Sequence, residues 1–148
     1  MHENVISFGT VAERLIGSVY QELATHFPEE GEHRRILNQL AAEELLHGRV
    51  MSHLRERNLR AQLHYDFEVV LAAQAAFMDT ALEIQRKLRA ESLTKEEAIA
   101  ELAKLERTLA ENLFIHLKLV VDTRFKKSVD SLAKESVAHA VILEKLLD

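Results

Sequence analysis

The stretch Leu40-Ala41-Ala42-Glu43-Glu44-Leu45-Leu46-His47 puts a carboxylate and an imidazole where a helical pattern calls for core residues. Read outward at alternating steps of three and four, it gives Leu37, Leu40, Glu44, His47, Met51 and Leu54, the inward seam of a packed helix. Glu44 and His47 are therefore expected to point inward. A buried, ionised carboxylate without a partner is costly or takes up a proton, and a metal ion is the direct remedy.

Around this stretch, the 148 residues are enough for one domain with a real core. Apolar residues make up 47%, with only 4 glycines, 1 proline and no tryptophan, so hairpin signals are scarce and an all-α chain is expected. A net charge of -5 argues against a nucleic-acid partner. Without cysteine there is no disulfide, no thiolate catalysis and no thiolate-bound iron in this chain. Met1-His2-Glu3-Asn4 lacks the basic and apolar regions of a secretory signal, and no apolar run approaches the roughly 20 residues that span a bilayer. No membrane partner is expected, and the cytoplasm is the expected location.

Upstream of the opening stretch, Ile6, Gly9, Glu13, Ile16, Tyr20 and Leu23 are helically spaced, and Phe27-Pro28-Glu29-Glu30-Gly31 breaks the pattern. So short a break predicts an antiparallel helical hairpin over about residues 4–57. Asn58 to Asp66 reads as a connection, and Phe67 to about Arg89 as a third helix with the stripe Phe67, Val70, Phe77, Ala81, Ile84 and Leu88. This crossover region, about 58–93, is expected to cover the bundle. Thr94-Lys95-Glu96-Glu97 has the form of a capping box and opens a second hairpin over about 94–148. Its seams read Ile99, Leu102, Glu106, Leu109, Leu113, His116 and Val120, then Phe125, Val129, Leu132, Ser136, His139, Leu143 and Leu146.

The two hairpins resemble each other. Leu40 to His47 aligns without gaps on Leu132-Ala133-Lys134-Glu135-Ser136-Val137-Ala138-His139, and Glu13 lies upstream of the first as Glu106 does of the second. This is an internal duplication. Four seams thus bring Glu13, Glu44 with His47, Glu106, and Ser136 with His139 towards one axis at one height. That is the geometry of a carboxylate-bridged dimetal site, in which a Glu and a His at i, i+3 reach one metal centre. Carboxylates with one imidazole per ion suit iron(II) or manganese(II), and absent thiolates disfavour structural zinc.

On Glu13, the Glu43-Glu44-x-x-His47 run, Glu106 and Glu135-Ser136-x-x-His139, the chain resembles the ferritin-like superfamily, specifically rubrerythrin-type di-iron proteins without a rubredoxin domain. The resemblance covers both hairpins. It implies a ferritin-like antiparallel four-helix bundle made of two duplicated hairpins plus a long crossover helix. It also implies Glu13 and Glu106 as terminal ligands, Glu44 as a bridging ligand, and His47 and His139 as one imidazole for each of two iron ions. One position departs from the pattern, because Ser136 stands where the family has its second bridging glutamate. Glu135, at i, i+4 from His139, is a further candidate ligand, although its helical phase lies at the seam's edge, as does that of the aligned Glu43. With three inward carboxylates for two divalent ions, a weakened, asymmetric or mononuclear site is the alternative.

The remaining histidines read as structural. His116 lies roughly 15 Å along the axis from Glu106, and His2, His26, His33, His53 and His64 show no ligand pairing. Tyr20 and Phe114 read as core packing, with lining of the site the alternative for Tyr20. The expected function is a non-haem di-iron oxidoreductase acting on peroxide or dioxygen, or oxidising iron(II), with electrons from a separate protein donor. The alternative is a bundle with a mononuclear or absent metal site acting as a structural or interaction module. A second apolar side on the third helix, Val69, Leu71, Ala75, Met78 and Leu82, predicts a homodimer.

Overall fold

The computed structural model describes residues 2–57, 67–114 and 123–148. Among them the chain is all-helical: α1 His2–Ala24, α2 Glu32–Arg57, α3 Phe67–Arg89, α4 Lys95–Thr108 and α5 Lys126–Leu146. A π-helical turn, Leu109–Phe114, continues α4, and a 3-10 turn, Thr123–Phe125, leads into α5. The connection expected at Asn58 to Asp66, with His64, and the seam positions His116 and Val120 lie outside the described residues. None of the helices among the described residues is long and apolar enough to cross a membrane.

Each helix forms where an apolar stripe can be buried. Ile16, Tyr20 and Leu23 of α1, Leu37, Leu40 and Met51 of α2, Phe77, Ala81, Ile84 and Leu88 of α3, Ile99 and Leu102 of α4, and Val129, Leu132 and Leu143 of α5 share one buried cluster. Burying each of the larger side chains contributes roughly 1.5 to 3 kcal/mol, which is what holds these segments helical in the folded chain.

α1 packs against α2, α4 against α5, and α3 lies on both α1 and α4. The α1 and α2 pair is antiparallel: Gly17 faces Ala41 and Glu44, while Gly48 faces Thr10 and Glu13. Small residues set this approach. A Cβ at Gly17 would come 3.3 Å from the Ala41 carbonyl oxygen and 3.4 Å from Glu44 Cβ, closer than most such contacts, so glycine eases the approach by which α2 presents Glu44 to α1. α4 and α5 lie side by side, with Glu106 near His139 and Arg107 forking onto Glu144 at 2.8 and 2.9 Å.

The ends of the helices follow local chemistry. At α4, Thr94 Oγ1 accepts from Glu97 N–H at 3.1 Å and Glu97 Oε2 accepts from Thr94 N–H at 2.9 Å, the reciprocal capping box expected there. α3 ends differently, on Glu91 in the left-handed region (φ 54°). Ser92 N–H reaches back to Lys87 O at 3.0 Å and Glu91 N–H to Leu88 O at 3.2 Å, a Schellman stop in which glycine is usual. At the turn between α1 and α2, Phe27 stacks on His33 with centroids 5.2 Å apart, and Lys95 Nζ lies 4.8 Å above the Phe27 ring. His33 Nε2 donates to the Leu146 carbonyl at 3.2 Å, tying this turn to the end of α5.

On the second face of α3, Ala75 and Leu82 are exposed and Met78 is half-buried. The side chains of Val69 and Leu71 lie outside the described residues.

Candidate metal centre

Five of the six sequence-predicted ligands meet in the interior. Glu13 is 1% exposed, Glu44 0%, His47 4%, Glu106 0% and His139 2%, and Ser136 beside them is 0% exposed. Helical spacing explains the convergence. Glu44 and His47 on α2, like Ser136 and His139 on α5, sit one turn apart on the buried face, and α1 and α4 each contribute one glutamate at the same level.

The two imidazoles form the middle of the cluster, stacked with centroids 5.1 Å apart and 12° between ring planes. His139 Nδ1 lies 2.7 Å from Glu44 Oε1 and 3.4 Å from Glu106 Oε1. His47 Nδ1 lies 3.4 Å from Glu13 Oε2 and 3.5 Å from Glu44 Oε2. Both Nδ1 atoms thus face the buried carboxylates, with Glu44 between them. One ligand atom from each of Glu44, His47 and His139 falls within 4.8 Å of the other two.

Outside this inner set, the Nε2 atoms are held crosswise. His139 on α5 meets Glu43 Oε2 of α2 at 2.8 Å, and His47 on α2 meets Glu135 Oε2 of α5. Glu135, the sixth candidate, is therefore found at the outward nitrogen of His47, with its side chain 55% exposed, rather than among the inner carboxylates. Glu43 does the same for the opposite hairpin. A carboxylate on the far nitrogen fixes ring orientation and tautomer, the usual support for a metal-bound imidazole.

Tyr20 is the other group in the site. Its hydroxyl donates to Glu106 Oε1 at 2.7 Å from complete burial, so it lines the centre besides packing the core. The signal in the sequence was its distance of two helical turns from Glu13, which keeps it on the same face.

The electrostatics are those of too many acids in too little water. Burial, then the charges of Glu106 and Glu13, push the Glu44 carboxyl well above the usual carboxylate range. Burial acts on Glu106 in the same sense, but hydrogen bonds with His139, Glu44 and Tyr20 outweigh it and hold this carboxyl low. Of this pair Glu44 is thus the carboxyl pushed up and Glu106 the one held low, and the 2.7 Å contact with His139 Nδ1 is made by Glu44. Burial disfavours charge on both imidazoles, yet Glu13 and Glu135 raise His47, and Glu106 and Glu43 raise His139, above their ordinary values. Burial and the neighbouring glutamates raise the Tyr20 hydroxyl well above its usual range.

Hydrogen bonding leaves the inner face incomplete. Both Glu13 oxygens, Glu44 Oε2, Glu106 Oε2, His47 Nδ1 and Ser136 Oγ are buried without a hydrogen-bond partner. Orphaned groups of this kind are rare and costly, and here nearly all are hard oxygen or imidazole donors. A divalent cation would satisfy them together, so the residues present fit a carboxylate and histidine metal centre. No protein-family model, curated protein or solved structure matches the chain.

Proposed function

We propose that the chain is a ferritin-like, rubrerythrin-type metalloprotein that binds two non-haem iron ions and acts as an oxidoreductase on peroxide or dioxygen, or oxidises iron(II). In this reading α1, α2, α4 and α5 are the antiparallel four-helix bundle of one domain, and α3 is its crossover helix. The observation that carries it is the burial of Glu13, Glu44, His47, Glu106 and His139 together, with both Glu13 oxygens, Glu44 Oε2, Glu106 Oε2 and His47 Nδ1 left without a hydrogen-bond partner.

Each hairpin supplies one terminal carboxylate, Glu13 or Glu106, and one imidazole, His47 or His139. Glu44, which lies between the imidazoles, would serve as the bridging carboxylate. An iron(II) pair bound here would supply the two electrons that take hydrogen peroxide to two waters, the two protons coming from solvent. Glu43 and Glu135 hold the rings with Nδ1 inward, Tyr20 keeps Glu106 oriented through its hydroxyl, and the burial of the inner residues limits access of bulk water. With no cysteine in the chain, reducing equivalents come from a separate protein or from fresh iron(II). Manganese fits the same donors. A reducing cytoplasm suits this chemistry, and the exposed Leu82 on α3 marks the face for a homodimer.

A second reading has one specific observation in its favour. Glu44, His47 and His139 alone bring three ligand atoms within 4.8 Å, enough for a mononuclear two-histidine, one-carboxylate site, and neutral Ser136 weakens the other half. The two are separated by loading the purified chain anaerobically with iron(II), measuring stoichiometry, and following the near-ultraviolet band of oxidised iron on addition of peroxide. Two ions and peroxide turnover support the oxidoreductase. One ion supports the mononuclear site, and none leaves a helical interaction module.

A further inference from the structure

We propose that Ser136 opens the centre to an external small carboxylate, which takes the place that a second bridging glutamate would fill. The inference rests on the two-ion reading above and deepens it by naming a ligand class.

Three observations support the slot. The duplication pairs Ser136 with Glu44, and the crosswise contacts of Glu43 with His139 and Glu135 with His47 show that aligned positions of the two hairpins occupy equivalent places around the histidines. Ser136 therefore stands opposite Glu44, one turn from His139 on the buried face of α5. Its hydroxyl is fully buried and has no partner, which neither packing nor the helix explains. The charges then fix the sign of what is missing: Glu13, Glu44 and Glu106 leave two divalent ions one negative charge short.

Size narrows the class. Serine keeps an oxygen where glutamate has Cγ, so what the chain lacks is a carboxylate group alone, the whole heavy-atom skeleton of formate. In the slot, the Ser136 hydroxyl would donate to the carboxylate. Formate, the smallest carboxylate, is expected to bind best and acetate less well. The metal-free chain, already crowded with acids, rejects all of them.

The test uses the full chain loaded with cobalt(II), whose visible bands report a change of ligand, with metal content measured alongside and formate titrated by calorimetry. Formate is expected to shift the spectrum of the loaded wild type with one anion per pair of ions, and to leave the metal-free protein untouched. Ser136→Glu retains two ions and loses the formate response. Ser136→Ala keeps the room but not the donor, and its formate affinity falls about tenfold. Two retained ions with no formate response, or an equal response in Ser136→Glu, overturns the slot and leaves the metal centre standing. Fewer than two ions in the wild type overturns the reading beneath it, and the slot with it. If circular dichroism shows that Ser136→Glu does not fold, Ser136→Ala decides, and an unchanged formate affinity overturns the proposal.

Discussion

Replacing Glu44 with glutamine should stabilise the metal-free chain while it disables the proposed metal centre. The carboxyls of Glu44 and Glu106 both contact His139 Nδ1, at 2.7 and 3.4 Å, so these oxygens lie within about 6 Å of each other. Two unit charges at that separation repel by roughly 3 kcal/mol at an effective dielectric near 20. Glu13, which shares His47 Nδ1 with Glu44, adds to the repulsion. Protonated His139 offsets it at low pH. Because the Glu44 carboxyl is raised by burial and by Glu106 and Glu13, its contribution to stability is present at low pH and is lost as pH rises through its folded value. The histidines, also raised, lose their contribution in the same direction above about pH 6.5. Glutamine cannot ionise, so Glu44→Gln is expected to gain about 1 to 3 kcal/mol over wild type at pH 9 and little at pH 6. Urea unfolding of chelator-treated protein at both pH values measures this, and iron(II) titration of the same variant should show at least a hundredfold loss of affinity. A variant less stable than wild type at pH 9, with metal binding intact, would refute the convergence of charge on which the reasoning depends.

Other substitutions probe different links. Glu43→Gln and Glu135→Gln, each at an outward histidine nitrogen and substantially exposed, should lower metal affinity about 10- to 100-fold and change unfolding free energy by less than about 0.5 kcal/mol; equal metal affinity would deny them a positioning role. Glu91→Gly relieves a left-handed residue at the end of α3 and should raise stability by about 0.5 to 1 kcal/mol, read from the thermal midpoint. Gly17→Ala sets a Cβ 3.3 Å from the Ala41 carbonyl, so despite alanine's better helix propensity it should cost about 1 kcal/mol and weaken iron(II) binding by moving α2; a more stable variant would show that the helices give way.

Most of the helical plan was legible because it rests on periodicity. The stripe of α3 from Phe77 to Leu88, the break at Pro28 and the capping box at Thr94 each follow from one local rule, and among the described residues the structure places them where the rule does. The inward set was legible for the same reason, as buried acids and imidazoles in seam phase have few explanations. What escaped depends on contacts between helices or on breaches of local preference. Glu43 and Glu135 lie off the seam, and only a ring with a second nitrogen turned outward on the other hairpin gives them a role. Tyr20 fills an ordinary core position, so lining of the site was legible only as an alternative, and its hydroxyl matters because Glu106 of α4 arrives beside it. The left-handed stop at Glu91 uses a residue that argues against one. The π-helical turn Leu109–Phe114 interrupts a seam expected to continue regularly from Glu106, and the described structure contains no proline or glycine there to announce it.

The central claim is that the inward atoms of Glu13, Glu44, His47, Glu106 and His139 hold a pair of cations. Diffraction from crystals loaded with iron(II), recorded on both sides of the iron edge, tests it most directly. The account predicts two anomalous peaks, one at bonding distance from each Nδ1 of His47 and His139, with Glu44 between them. No peak, or a peak only on the outward side with Glu43 and Glu135, would contradict it.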